Sequence, residues 1–314
     1  MTFTRPPAGD DPQWPRASAW LDGNLGQPSA GAPLLRVVGV PTSVGSISPS
    51  EAWRTPPAVR AALQRLSPFD PVTGIDLAAS LRIEDLGDWD VAGLELQAAM
   101  VRARGLAADL DAAGAVHAFL GGDNAITRPV VAGLLGPDLS RVGVVTLDAH
   151  HDVRHLDDGP RNGTPIRGLV EDGLDPTNVV QIGIGRFTNS APYAAWCREH
   201  GIGVVTMPDV HRHGVSWAVE RALEHLGGVT AIHVDLDIDV LDVAHAPACP
   251  GARPGGMVPE QLFEAAQLLG GESRVRSVDL VEVDAAADHD GRTVMATAMA
   301  LLAFAAGVAR RDRA

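Results

Sequence analysis

From residue 34 onward, short valine-rich runs alternate with segments whose apolar residues recur at helical spacing. Few folds accept that rhythm. Strand–helix–strand repeats close into a mainly parallel sheet covered on both faces. Residues 35–40, 115–120, 142–147, 179–184, 203–207, 231–239 and 276–283 read as strands. Residues 56–66, 94–113, 126–135, 216–226, 259–269 and 292–308 read as helices. The expected fold class is therefore α/β, three layers α/β/α around a mostly parallel central sheet. Residues 1–33 are rich in Pro, Gly, Asp and Ala without a sustained period and read as an irregular N-terminal arm. No linker divides residues 34–314, so a single domain is expected there.

A chain of 314 residues, 46% apolar, can bury a full core without staples. The formal charge of −14 gives no basic footprint for nucleic acid or an anionic membrane, so neither is expected as a partner. Every Lys+Arg position is arginine. The missing lysine removes Schiff-base chemistry and the phosphate-binding lysine of P-loops. Cys197 and Cys249 are too few for a disulfide framework or a zinc ribbon, and they fit a reducing compartment. No run near twenty apolar residues stands out, and residues 1–11 lack a basic-then-apolar pattern, so a soluble cytoplasmic protein is expected.

Charged clusters close four of the apolar runs, where ligands sit in open α/β sheets. After 142–147 comes Asp148-Ala149-His150-His151-Asp152. Continued as extended chain, Asp148, His150 and Asp152 would share one face. Two carboxylates and an imidazole there repel one another and lose solvent unless a cation neutralises them. A surface turn with solvated charges is the plainer alternative, and the apolar strand before it argues against that. The run 233–239 alternates strictly, with His233, Asp235, Asp237 and Asp239 facing one way. Asp237 and Asp239, nearest the strand end, are the expected ligands, with Asp235 deeper and structural. An edge strand with its polar face in water is the competing reading.

Gly121-Gly122-Asp123-Asn124 ends a third run. Its glycines let backbone approach a ligand, and Asp123 can brace a metal ligand from behind. Alone, such a turn-like string is weak. Glu282 lies near the end of the fourth run, placed either to pair with a cationic substrate or as an ordinary surface glutamate. Oxygen and nitrogen donors in this mixture suit Mn²⁺ better than a thiolate-seeking ion.

In this order and spacing the motifs resemble the ureohydrolase superfamily of arginases, agmatinases, guanidinoalkanoate hydrolases and formimidoylglutamases. The resemblance runs from about residue 34 to the C-terminus. It is carried by 121–124, by 148–152, by Asp237-Ile238-Asp239 with Leu241-Asp242 and Ala246-Pro247 following, and by Val281-Glu282-Val283. It implies an arginase-like fold, a trimer or hexamer, and two Mn²⁺ ions per subunit. It also implies that Asp148, Asp152 and Asp237 bridge or hold both ions, and that His150 and Asp239 ligate one. Glu282 would receive the amidinium or guanidinium group of a small-molecule substrate. A hydroxide shared by the ions would attack the amidine carbon, with Asp152 orienting or deprotonating the water. Asn124 departs from the pattern, because the superfamily places a histidine ligand there. An amide oxygen is a weaker donor, though one that hard cations accept, so that ion would bind loosely, be exchanged or be absent. Asn162 likewise replaces a histidine of agmatinases, which removes a proton-shuttling imidazole.

Within the superfamily, Asp152-Val153-Arg154, the loop 162–167 and Gly183-Ile184-Gly185-Arg186-Phe187-Thr188-Asn189-Ser190 resemble formimidoylglutamases. That branch implies hydrolysis of N-formimidoyl-L-glutamate to glutamate and formamide. Asn162, Thr164, Arg154, Arg167 and Glu282 are then the substrate-binding candidates. Arg154 and Arg167 would either clamp the carboxylates of a glutamate portion or pair with Asp157, Asp158 or Glu171 on the surface. A guanidino hydrolase that releases urea, agmatinase- or guanidinobutyrase-like, is the alternative in the same class. A catalytically silent ligand-binding relative with an impaired metal site is the alternative outside it. A phosphatase using Asp237 as nucleophile would lack the lysine that such chemistry wants.

Overall fold

The computed structural model describes residues 11–29 and 31–311. Its strands are β1 (Leu34–Gly39), β2 (Phe69–Asp70), β3 (Ile75–Asp76), β4 (Arg82–Asp88), β5 (Val116–Leu120), β6 (Val142–Leu147), β7 (Val179–Ile184), β8 (Gly203–Thr206), β9 (Ala231–Asp237) and β10 (Val275–Val281). Eight of them form one sheet in the order β4-β1-β5-β10-β9-β6-β7-β8. Every neighbouring pair in it is parallel. β2 and β3 form a separate short antiparallel pair.

Parallel strands need crossovers, and the helices that make them cover both faces. Along β6 the side chains divide between the layers. Val145 and Leu147 enter the cluster that holds Leu262, Leu301 and Phe304. Val142 and Val144 enter the one that holds Ile166 and Leu169. Burying each such side chain contributes about 1.5–3 kcal/mol, so this two-sided core stabilises the central strands most. The expected three-layer α/β/α architecture is the one the chain adopts.

Helix Arg292–Ala309, expected as a helix over 292–308, is long and apolar enough to cross a membrane, against the expectation that no such run stands out. The helix is 67% buried inside the fold, which makes it a core helix. The arm read as irregular contains a short helix, Ala17–Leu21, whose Trp20 is 1% exposed in the main core. Residues 1–10 and residue 30 of that arm lie outside the described residues. The helix expected over 94–113 spans Leu96–Ala108, and that over 56–66 ends at Ala62 in a 3-10 turn. Edge strand β4 went unread because its alternately exposed residues, RIEDLGD, carry no apolar run. Helices Pro165–Glu171, Ala191–Glu199 and Met207–His213 were also unread; each opens with a proline in its first turn.

The sheet order decides where the chemistry falls. β5, β10, β9 and β6 are contiguous at its centre. Asn124, Glu282, Asp237 and Asp148 leave their carboxyl ends, so clusters far apart in sequence meet over four adjacent strands.

Candidate metal centre and active site

Two local geometries differ from the extended runs expected. β9 stops at Asp237, whose side chain accepts the N–H of Asp239 at 2.8 Å and caps a 3-10 turn over Ile238–Val240. Asp239 thus reaches the site from a turn rather than by strand alternation. β6 likewise stops at Leu147, and Asp152 sits in the left-handed region at φ 54°. Glu282, just past β10, has φ 66°. Such backbone is unfavourable for a residue with a Cβ and gathers at functional sites.

Asp148, Asn124, Asp237, Asp239 and Glu282 are each 4% exposed or less. His150 Nδ1 lies 2.7 Å from Asp239 Oδ2 and 3.5 Å from Asp148 Oδ1. Asp239 Oδ1 accepts the N–H of Ala149 at 3.0 Å, which ties the β9 and β6 ends together. Asn124 Nδ2 lies 2.8 Å from Asp152 Oδ2 and 3.4 Å from Asp237 Oδ2. The Thr127 hydroxyl lies 2.6 Å from Asn124 Oδ1. Glu282 Oε1 accepts the Asn124 N–H at 2.7 Å and Asn162 Nδ2–H at 3.1 Å. Asp148, His150 and Asp239 offer ligand atoms within 4.8 Å of one another, and so do Asp237, Asp239 and Cys249.

Crowding leaves these acids reluctant to ionise. Burial, then the charge of Asp239, pushes Asp148 up to about 7. Burial, then Asp148, raises Asp152 well above the usual carboxylate range. Burial, then Asp239, does the same to Asp237. Glu282 is pushed up to about 8 by burial and then by Asp123. Burial opposes protonation of His150, yet Asp239 and Asp148 together lift it to about 11. Asp239 is the exception: burial would raise it, but His150 holds it low.

A family profile described as the arginase family matches residues 34–306. The formimidoylglutamase of Halalkalibacterium halodurans is 38% identical over 279 residues, spanning 86% of each chain. The guanidinopropionase of Pseudomonas aeruginosa is 33% identical, covering 82% of this chain and 81% of its own. The crystal structure of formimidoylglutamase from Bacillus subtilis superposes with a TM-score of 0.87 at 30% identity, over 98% of this chain and 97% of that one. The chain belongs to the arginase family.

For an arginase-family hydrolase the donor set can be tested for a cation fit on its own terms. Several buried carboxylates and one imidazole converge with no arginine among them, and burial first, then their mutual repulsion, raises Asp148, Asp152 and Asp237. Oxygen-rich donors with one nitrogen match hard divalent ions. The residues present fit such ions.

The other sequence candidates divide. Arg154 and Asn162 line the cavity over the cluster, about 550 Å³, together with His150, Asp152, Asp237 and Glu282. Arg167 does not line it: Nη1 meets His155 Nδ1 at 2.9 Å and the guanidinium lies 4.8 Å from the centre of the Trp196 ring. The helix that begins at Pro165 turns Arg167 behind His155, so neither the expected clamp nor a pairing with Glu171 forms. Thr164 is buried, and its hydroxyl donates to Arg161 O at 2.8 Å, so it braces the loop rather than facing the cavity. Asp123 is likewise structural: it accepts N–H groups of Gly45 and Ala125, both at 2.9 Å.

Two neighbours were missed. Cys249 is buried against Asp237 and Asp239, and burial pushes its thiol well above the ordinary range. Gly251 permits this packing, since a Cβ there would lie 2.2 Å from Asp239 Oδ2. The second is Arg253 on the cavity wall. The one hint of either was the proximity of 246–253 to Asp239 in sequence.

Proposed function

We propose that this chain hydrolyses the linear C–N bond of N-formimidoyl-L-glutamate, giving L-glutamate and formamide, with two Mn²⁺ ions. The observation that carries the reading is the meeting of His150, Asp152, Asp237 and Asp239 beside Glu282 in one pocket, with Asp148 against His150 and Asp239. The relatives named formimidoylglutamase support the choice of substrate. Asp148, Asp152 and Asp237 would hold both ions and His150 and Asp239 one of them; Asn124 would serve on the other side only with its amide turned over, because Oδ1 accepts from Thr127 while Nδ2 faces Asp152 and Asp237. Ions held there would lower the pKa of water and supply a nucleophile near neutral pH.

The chain's own groups do the rest. Glu282 is fixed by two N–H donors on Oε1, which leaves Oε2 to pair with the amidinium and orient its carbon. Asp152 takes the proton lost by the attacking water and returns it to the departing amine nitrogen. Formamide keeps the former amidine carbon, and the glutamate nitrogen leaves as an amine. The guanidinopropionase relative favours a second reading, urea release from a guanidino acid. Assaying Mn²⁺-loaded protein on N-formimidoyl-L-glutamate, 3-guanidinopropionate and agmatine separates the two. Formamide from the first supports the proposal; urea without formamide overturns it.

A further inference from the structure

The rim of the pocket carries positive charge that the acid cluster does not use. Arg154 and Arg253 both line the cavity and both are exposed. Among the described residues neither guanidinium pairs with a carboxylate. Arg154 lies flat over its loop, where a Cβ on Gly163 would come within 2.6 Å of its Cδ. Arg253 uses one nitrogen: Nη1 donates to Pro250 O at 3.0 Å and Ala252 O at 2.8 Å. The other face of its fork is unspent.

That freedom is built into the loop. The backbone of Arg253 bridges to Asp242, and its carbonyl accepts the N–H of Val243 at 3.2 Å. Asp242, the nearby acid, instead gives its oxygens to the N–H groups of Ala244 at 2.8 Å and Gly255 at 2.6 Å. Arg253 also lines an adjoining cavity of about 320 Å³ that shares Asp239 and Thr188 with the main pocket and adds Arg186 and His211. In a chain of net charge −14, guanidinium groups without carboxylates gather where a substrate tail would leave the site.

We propose that Arg253 is a specificity-determining residue that receives a carboxylate of the substrate's tail, with Arg154 as a second anchor. The inference rests on the reading above. It makes the pocket a charge sorter: the amidinium points inward to Glu282 and the carboxylate outward to the rim. A planar fork matches a carboxylate in two parallel hydrogen bonds. A substrate with a cationic tail would meet repulsion at the same place.

Arg253→Met keeps the stem and removes the fork. Calorimetry of L-glutamate binding to Mn²⁺-loaded wild type and variant reads the contact without turnover. Loss of both charge-assisted hydrogen bonds of the fork should weaken that binding at least about tenfold. The Mn²⁺ dissociation constant should stay the same. In steady state, KM for N-formimidoyl-L-glutamate should rise by a similar factor with kcat nearly unchanged. N-butylformamidine, which has no carboxylate, should lose less, and Arg253→Lys should recover part of the binding. Equal L-glutamate affinity in wild type and Arg253→Met, or no binding by wild type, overturns the inference. Binding that depends on Arg253 in a protein that leaves N-formimidoyl-L-glutamate intact would uphold the rim site and overturn the proposed reaction.

Discussion

Changing Glu282 to glutamine isolates one charge. The carboxylate is 4% exposed, and its Oε1 is held by the Asn124 N–H at 2.7 Å and Asn162 Nδ2–H at 3.1 Å. Glutamine keeps the size and an acceptor oxygen for both donors, so the loop should stay in place. What disappears is the counter-charge to the amidinium. Removing one partner of a buried ion pair costs about 3–5 kcal/mol. At about 1.4 kcal/mol per tenfold, kcat/KM should fall roughly 150- to 4000-fold. The assay is formamide release from N-formimidoyl-L-glutamate with Mn²⁺ in excess, beside the metal content of each protein. Metal-free Glu282→Gln should be no less heat-stable than wild type, because burial and Asp123 make the native charge unfavourable. A kcat/KM within about threefold of wild type at equal metal content would refute the pairing.

Three further outcomes are expected. Asn124→His puts an imidazole against Asp152 and Asp237 and should tighten the weaker Mn²⁺ site by about tenfold, roughly 1.4 kcal/mol; an unchanged dissociation constant would remove Asn124 from the ions. In chelator-treated protein Asp148 and Glu282 hold protons up to about 7 and about 8, against about 4 in the unfolded chain. Folded protein then binds more protons than unfolded, so its melting temperature should fall as pH rises from about 4 through about 8. Mn²⁺ should abolish that fall, and a melting temperature that climbs over the window would contradict the crowding. Trp20→Ala should cost about 3–5 kcal/mol in denaturant titration; a loss near zero would mean that helix Ala17–Leu21 does not belong to the core.

The central strands were legible because burial on both faces leaves unbroken valine-rich runs such as β6, whereas edge strand β4 faces water and hides among charges. Asp148, Asp237 and Glu282 were legible for a related reason, since a charge that ends a buried run demands a partner. Their meeting was not, because it depends on β5, β10, β9 and β6 lying side by side. The turn that delivers Asp239 and the left-handed backbone of Asp152 and Glu282 leave no mark in the alternation of residue types. Arg167 was misjudged by a local rotation, the helix starting at Pro165 that aims it at His155. Cys249 and Arg253 come from a loop returned by the bridges Leu241–Met257 and Asp242–Arg253, contacts that no short-range pattern encodes.

Calorimetric titration of Mn²⁺ into chelator-treated wild type and Asp237→Ala tests the metal centre most directly. Wild type should take up two ions per chain, one more weakly than the other, and Asp237→Ala should lose uptake and formamide release together. Wild type that takes up no Mn²⁺, or Asp237→Ala that binds it as wild type does, would contradict the account.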